Sequence, residues 1–517
     1  MAQTLLALDN GTQSVRALLF DRDGQLLFCS QVKFDPVYYA PQPGYAEQSA
    51  QYYWDCLVQA VQGLWRQGAH SAEIVAVTLT TQRATVVPVD REGRALRPAI
   101  TWLDQREANS LPPMPLYWRL GFSLARATES VKYLCQQAEA NWLMENEPEM
   151  MRKMHKFLLL SGYLTHRLTG KFRDAVASQV GFLPFDYRRQ DWARSWDWRW
   201  QAIRLRREHL PDLVPAGQRL GEITAEAARV TGIPQGLPLI AAGADKACEV
   251  LGSGCLEPHL GALSFGTTAT INTIRSNYVE ATPLLPPYPA PVPGHYCTEI
   301  QTFRGFWMVN WFRKEFGAGD MAQAMQDDVP VEVLFDRHLQ VTPAGNMGLM
   351  LQPFWSPGVR EPGREAKGAL IGFGDVHGRS HVYRAIVEGL MYSLRNGRER
   401  IEKRAKTRMT SLRASGGGAQ SDAVVQIAAD IFGLPVERPH THETSGLGAA
   451  ICAAVGMGMY PDFPSAVQHM THVSVTVLPD AEHQALYNQL FSRVYQPLYA
   501  RLRPLYREIR AITGYPR

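Results

Sequence analysis

No two of the seven cysteines form a C-x-x-C pair, and their odd number and scattered spacing give neither a zinc site nor a disulfide framework. No apolar run reaches the roughly 18 residues needed to span a bilayer. The N-terminus lacks a charged segment followed by an apolar stretch, so no signal peptide is expected. A large charge of one sign is missing too: 53 basic residues stand against 49 acidic ones, a formal net charge of +4. The densest basic patch, Arg199 to Leu210, follows Trp192, Trp196 and Trp200. Interleaved aromatic and basic residues can bind nucleic acid. Four-residue spacing instead predicts one helix face packed on a core. The absences together predict a cytoplasmic protein in a reducing compartment, with neither nucleic acid nor membrane as partner.

What is present is ordinary for a large globular chain: 517 residues, 45% hydrophobic and 20% charged. That length predicts two sizeable domains and a cleft between them. Leu5 to Leu27 reads as two strands joined at Asn10-Gly11-Thr12, then a turn at Asp23-Gly24 into a third. Ala50 to Trp65 has helical spacing, and Ile74 to Thr80 reads as a buried strand. Strands and helices alternate to about Gly254, an α/β pattern. The proline-rich PLLPPYPAPVPG, Pro283 to Gly294, and SPGVREPGREAKG, Ser356 to Gly368, read as exposed loops. Helical spacing resumes from His381 to about Lys406.

Two segments half a chain apart share one design. LLALDNGTQSVRALLFD (Leu5 to Asp21) and ALSFGTTATINTI (Ala262 to Ile274) each carry an apolar run, a Gly-Thr turn and a second strand-like run. Such a turn leaves backbone N–H groups pointing one way, a seat for an anion. A duplicated seat, Gly11-Thr12 and Gly266-Thr267, suggests a polyphosphate held between two halves, although each turn alone would pass for an ordinary hairpin. Asp9 stands beside the first turn. A carboxylate next to phosphates needs a cation between them, so Asp9 is a candidate magnesium-shell residue or else a turn-forming Asp. A third Gly-rich turn, Gly416 to Ser421, follows a short strand and opens a helix at about Val424. It suits a nucleotide contact or a flexible connector, and it is not a P-loop, because no Gly-Lys-Ser/Thr follows. Asp245 lies in AAGADKACEVLGSG, where small residues let backbone approach a ligand. It is a candidate base for a substrate hydroxyl, or a helix N-cap.

At these residues the chain resembles the FGGY carbohydrate kinases, which include glycerol, xylulose, gluconate and ribulose kinases. The likeness runs from Leu5 to about Met459 and includes DNGTQSVRA, PGYAEQ, ITWLDQRE, SGYLTHRLTGKF, KGALIGFGDVHGRSHVYRAIVEGL, GGGAQSD and ETSGLGAA. It implies the fold of actin, heat-shock ATPases and hexokinase, with two ribonuclease H-like domains flanking a cleft. The expected division is an N-terminal sugar-side domain over 1–256, a C-terminal nucleotide-side domain over 257–465 and a helical C-terminal extension over 466–517. The resemblance implies ATP, Mg2+ and a small-molecule carbohydrate substrate. It makes Asp245 the catalytic base and gives phosphate contacts to Gly11, Thr12, Gln13, Gly266 and Thr267. Gly417, Gly418 and Ser421 take the adenine side, and Asp9 the metal. The sugar would lie near Gln82, Arg83, Trp102, Asp245 and Lys246. A homodimer is left open.

Departures from the family concern the substrate and the nucleotide. Glycerol kinases carry Arg-Glu where this chain has Arg83-Ala84, and an aromatic residue where it has Thr270, which argues against glycerol. Lys246 follows the catalytic Asp where Gln, Asn or Gly is usual. It is expected to lower the pKa of Asp245, to meet an acidic substrate or the moving phosphoryl group, or to point away into a surface ion pair. Arg83 and Lys246 together keep a sugar acid open beside ketoses and polyols. Bulky Phe306-Trp307-Met308 replaces small residues and would narrow the nucleotide cleft if it borders it. That motivates a second reading, a non-catalytic nucleotide or sugar sensor on the same fold.

Overall fold

The computed structural model describes residues 3–125, 127–358 and 362–515. Two mixed β-sheets organise it. The first holds β1 (Thr4–Asn10), β2 (Ser14–Phe20), β3 (Leu26–Lys33), β4 (Ile74–Thr81), β5 (Arg219–Glu222) and β6 (Pro238–Ala244), in the order β5-β6-β4-β1-β2-β3. β1 runs antiparallel to β2 and parallel to β4, which is parallel to β6. The second sheet holds β7 (Leu260–Phe265), β8 (Ala269–Arg275), β9 (Tyr288–Pro289), β10 (Tyr296–Thr302), β11 (Ser411–Ser415), β12 (Val436–Pro439) and β13 (Val473–Val477), in the order β9-β10-β8-β7-β11-β12-β13. β7 runs antiparallel to β8 and parallel to β11, which is parallel to β12. Three antiparallel strands followed by two parallel ones therefore occur twice. The hairpins β1–β2 and β7–β8 hold equivalent places, which explains why their sequences look alike.

Strands buried on both faces need apolar side chains on both faces. Leu6 and Leu8 of β1 join the core that holds Leu57 and Val61 of helix α1 (Ala50–Arg66). That helix starts where Ser49 accepts the Tyr52 N–H at 3.4 Å. Leu5 and Ala7 face the other way, into the core of helices α2 (Asp245–Gly252) and α3 (Thr444–Gly456). α3 thus comes from the second half of the chain and lies under the first sheet. α2 and α3 cross in backbone contact: a Cβ on Gly252 would lie 2.6 Å from the Gly448 nitrogen, and one on Gly448 would lie 2.6 Å from the Cys248 carbonyl carbon. Gly252, in the small-residue segment around Asp245, serves this crossing.

Three expectations are corrected. Trp192, Trp196 and Trp200 share no helix. Trp192 is buried on a two-residue strand, Trp196 is exposed, and a short helix begins only at Arg199, where Asp197 accepts its N–H at 2.9 Å. The proline-rich stretch is exposed only at its two ends. Tyr288–Pro289 forms the edge strand β9, where a proline leaves no ladder donor missing, and Ala290 and Val292 are buried. The tail after 466 is not helical throughout, because β13 pairs with β12 at the sheet edge. Helices Ala481–Leu490 and Gln496–Thr513 follow it. Residues 359–361 of the second predicted loop lie outside the described residues. Among the described residues no helix is long and apolar enough to cross a membrane.

Candidate active site

The two Gly-Thr turns meet. The first closes through Gly11 N–H donating to Ser14 O at 3.0 Å. The second is pinned from behind by Gly305 N–H to Thr267 O at 2.9 Å and Phe306 N–H to Gly266 O at 3.0 Å. Between them the Gln13 side-chain amide donates to Thr267 Oγ1 at 3.4 Å, across 254 residues of sequence. Trp102 joins from the first domain, its indole N–H donating to Thr12 Oγ1 at 2.9 Å. Gln82 follows β4, where its backbone N–H donates to Asn10 O at 2.8 Å, and it is buried with its Nε2 unpartnered among the described residues.

Acids converge at the ends of β1 and β6. Asp9 is 4% exposed. Burial pushes its pKa up to about 7; Arg16 opposes this, whereas the nearby charges of Asp245, Glu443 and Glu249 add to it. Arg16 lies 3.6 Å from Asp9 and 3.5 Å from Glu443. One carboxylate oxygen of Asp9 is buried without a hydrogen-bond partner among the described residues. A carboxyl desolvated, crowded by other acids and left with a free oxygen suits a hard cation. Among the described residues no three His, Cys, Asp or Glu groups could cage one. Magnesium needs no such cage, since it keeps waters and takes one or two carboxylates alongside phosphates.

Asp245 opens α2 directly after β6 and accepts the Lys246 N–H on Oδ1 at 2.7 Å. Burial raises its pKa, and the positive charges of Arg83 and Lys246 reduce the rise. The expected downward pull of Lys246 on this pKa is present, but burial outweighs it. Nor is Lys246 in a surface ion pair. Its ammonium donates to Glu249 Oε2 and to Ser264 Oγ, each at 2.6 Å, at the base of the second Gly-Thr turn. Glu249 is buried, and its other oxygen accepts from Ser415 Oγ at 2.6 Å. Lys246 and these hydroxyls outweigh its burial, so its pKa is lowered and the pair stays ionised. Arg83 reaches over to the second sheet, with Nη1 3.0 Å from Glu299 Oε1 and the guanidinium carbon 5.1 Å from the centre of the Tyr288 ring.

The third Gly-rich turn runs Gly417–Gln420 as a single 3₁₀ turn after β11. Around Gly417 there is open space, whereas a Cβ on Gly418 would lie 2.6 and 2.9 Å from ring atoms of Phe306. Phe306 stacks on Phe265 at 5.0 Å, so it fills the gap between the second Gly-Thr turn and the Gly-rich turn. Met308 is core, and Trp307 packs on Trp355 at 6.4 Å. The Ser421 hydroxyl is already engaged: it caps helix Asp422–Phe432 by accepting the Val424 N–H at 3.1 Å and donates to Asp336 at 2.5 Å. Reading the sequence missed Glu249, Glu299, Tyr288 and Glu443. Glu249, Tyr288 and Glu443 stood in quoted segments without being singled out, Glu299 stood in none, and no local pattern marks any of them as functional.

Two family models cover the chain: the FGGY family of carbohydrate kinases, N-terminal domain, over residues 4–252, and the C-terminal domain over 261–457. The uncharacterized sugar kinase YgcE of Escherichia coli is 28% identical over 505 residues, 96% of this chain and 93% of that protein. The xylulose kinase of Lactococcus lactis is 27% identical over 500 residues, 96% of each chain. The crystal structure of gluconate kinase from Lactobacillus acidophilus superposes with a TM-score of 0.80 at 21% identity, over 100% of this chain and 99% of that one. With both halves of the family matched in order and the twin sheets in place, this chain belongs to the FGGY carbohydrate kinases.

Proposed function

We propose that the cleft between the two sheets transfers the γ-phosphoryl group of ATP to a hydroxyl of a small carbohydrate, with Asp245 as the base. The observation that carries this reading is the meeting of the two Gly-Thr turns through Gln13 and Thr267. Their backbone N–H groups supply fixed donors for phosphate oxygens. Asp245 takes the acceptor's proton, the oxygen attacks the γ-phosphorus, and the bond to the β-phosphate oxygen breaks to release ADP. A raised pKa helps here, because a base works best when its pKa lies near the working pH. Lys246 holds Ser264 beneath the turn rather than touching the acceptor. Asp9 would hold Mg2+ through water, and the ion when bound would offset phosphate charge. Gly417 offers open backbone to the nucleotide, and the side chain of Ser421, occupied by its cap, would act only through that turn.

In this reading the sugar-side domain spans 1–256, the nucleotide-side domain 257–465, and residues 466–517 form an extension. Seven unbridged cysteines support a cytoplasmic setting. Asp245→Asn should lower kcat by roughly 10²–10⁴ while calorimetry still detects ATP binding. Turnover of the best acceptor at the wild-type rate would remove Asp245 from the role. ATP binding without turnover on any ketose, polyol or sugar acid would favour the sensor reading, for which Phe306 against Gly418 speaks.

A further inference from the structure

The two cations that act on Asp245 are Arg83 and Lys246. Before any substrate arrives, each has a carboxylate partner. Lys246 is bonded to Glu249 at 2.6 Å, and Arg83 to Glu299 at 3.0 Å. Arg16, on the far side of Asp9, is shared between Asp9 and Glu443. Glu299 is held firmly. Its second oxygen accepts from Tyr288 Oη at 3.0 Å, the same hydroxyl lies 3.1 Å from Asn272 Oδ1, and the Asn272 amide donates to Thr270 Oγ1 at 2.8 Å. The carboxylate absent at Ala84 thus has a counterpart, which comes from β10 of the opposite domain.

We propose that Glu299 neutralises Arg83 at the sugar side of the cleft, so that the acceptor this site takes is an uncharged polyol or ketose and not a sugar acid. The proposal rests on the kinase reading and names its substrate class. A free guanidinium would grip a carboxylate with two parallel hydrogen bonds. Here Arg83 is ion-paired to Glu299 and lies over Tyr288, while Asp245 carries a negative charge with no ion-pair partner among the described residues. A second carboxylate brought beside Asp245 would meet like charge, and repulsion of that kind is a means of rejecting a wrong ligand. Hydroxyl groups meet no such penalty and can both donate to and accept from Glu299, Arg83 and Asp245. Glu299 is on this account a positioning residue that sets specificity through Arg83.

The test is calorimetric titration of nucleotide-free protein with erythritol, xylitol, D-xylulose, D-xylonate and D-gluconate, together with ADP release from ATP for each. At least one neutral compound should bind, with both acids weaker by roughly tenfold or more, which is about 1.4 kcal/mol. Glu299→Gln should shift the acid-to-neutral ratio of affinities toward the acids by about tenfold. Glu299→Asp, which keeps the charge, should preserve the wild-type order. A merely structural role would weaken both classes alike. Acids binding as tightly as neutral compounds, no compound binding, or equal losses for both classes in Glu299→Gln would each overturn the proposal. The wild-type comparison stands even if the variants fail to fold. Neutral compounds that bind without ADP release would refute the phosphoryl transfer and leave the acceptor class standing.

Discussion

Gly418 and Phe306 offer a direct measure of how tightly the bulky segment is wedged against the Gly-rich turn. A methyl at 418 would come within 2.6 and 2.9 Å of the Phe306 ring, where an ordinary contact needs nearly 1 Å more. The ring has little room to yield, since it stacks on Phe265 at 5.0 Å and its backbone N–H is tied to Gly266 O at 3.0 Å. Gly418→Ala should therefore destabilise the protein by about 1–3 kcal/mol, the usual range for overpacking. Phe306→Ala removes a half-buried aromatic ring and should fall below the roughly 3–5 kcal/mol typical of a core Phe. In the double variant the new methyl enters space the ring has left. The two effects should then add to less than their sum, with a coupling of about 1–2 kcal/mol. Urea denaturation of the four proteins, read at constant m, measures this. Steady-state kinetics adds a functional arm, in which Phe306→Ala should lower the KM for ATP. Additivity within about 0.5 kcal/mol would show that ring and turn do not press on one another.

Asp9 gives a pH signature in magnesium- and nucleotide-free protein. Its folded pKa of about 7 stands above the ordinary 3.8, so the fold favours the neutral acid and loses stability as pH rises from about 4 to about 7. The stability of Asp9→Asn relative to wild type should grow across that window and then level off, and a difference independent of pH would refute the burial argument. Arg384 and Glu388 form a buried pair at 2.6 Å, with Tyr487 Oη also donating to Glu388 at 2.7 Å. Glu388→Ala strands the guanidinium and should cost about 3–5 kcal/mol, of which Arg384→Met in the same protein should restore a part. A midpoint shift worth less than about 1 kcal/mol would show that the carbonyls of Leu339 and Thr342 suffice to hold Arg384. Gly448→Ala drives a methyl into the Cys248 carbonyl at the α2–α3 crossing, so it should lower the melting temperature by several degrees, and an unchanged value would contradict the close approach.

Elements with strong local signals could be read from the sequence. β1 to β3 alternate or run apolar between clear turns, α1 follows a capping serine, and the helix predicted from His381 to about Lys406 is observed as Arg379–Ala405. The strand–turn–helix around Gly416 was equally legible. Failures came where one local pattern fits two structures. Trp192, Trp196 and Trp200 are spaced four apart as on one helix face, yet the first sits on a strand held by its indole bond to Pro211 O at 3.0 Å. Prolines suggest a loop, yet Tyr288–Pro289 finds an edge position where the missing donor does no harm. The Val473–Val477 strand has exposed side chains on nearly every position, so its pattern carries no core-facing stripe to detect.

The chemistry of the site depends on contacts that no local window contains. Gln13 and Thr267 are 254 residues apart, and Arg83 and Glu299 are 216 apart. Seen in sequence alone, Arg83 and Lys246 are two positive charges beside the proposed base, and they keep a sugar acid open beside ketoses and polyols. On the proposed reading, folding weighs against the acid. The duplicated sheets bring β10 opposite the end of β4, and with it a carboxylate that cancels Arg83. The turn of α2 brings Glu249 three residues on from Lys246, and β7 and β11 bring Ser264 and Ser415 to complete the pair. What is left without an ion-pair partner among the described residues is Asp245, the proposed base, on which Arg83 and Lys246 act without forming an ion pair. A charge therefore reports substrate preference only once its partner is known, and in a two-domain kinase that partner can stand on the far side of the cleft.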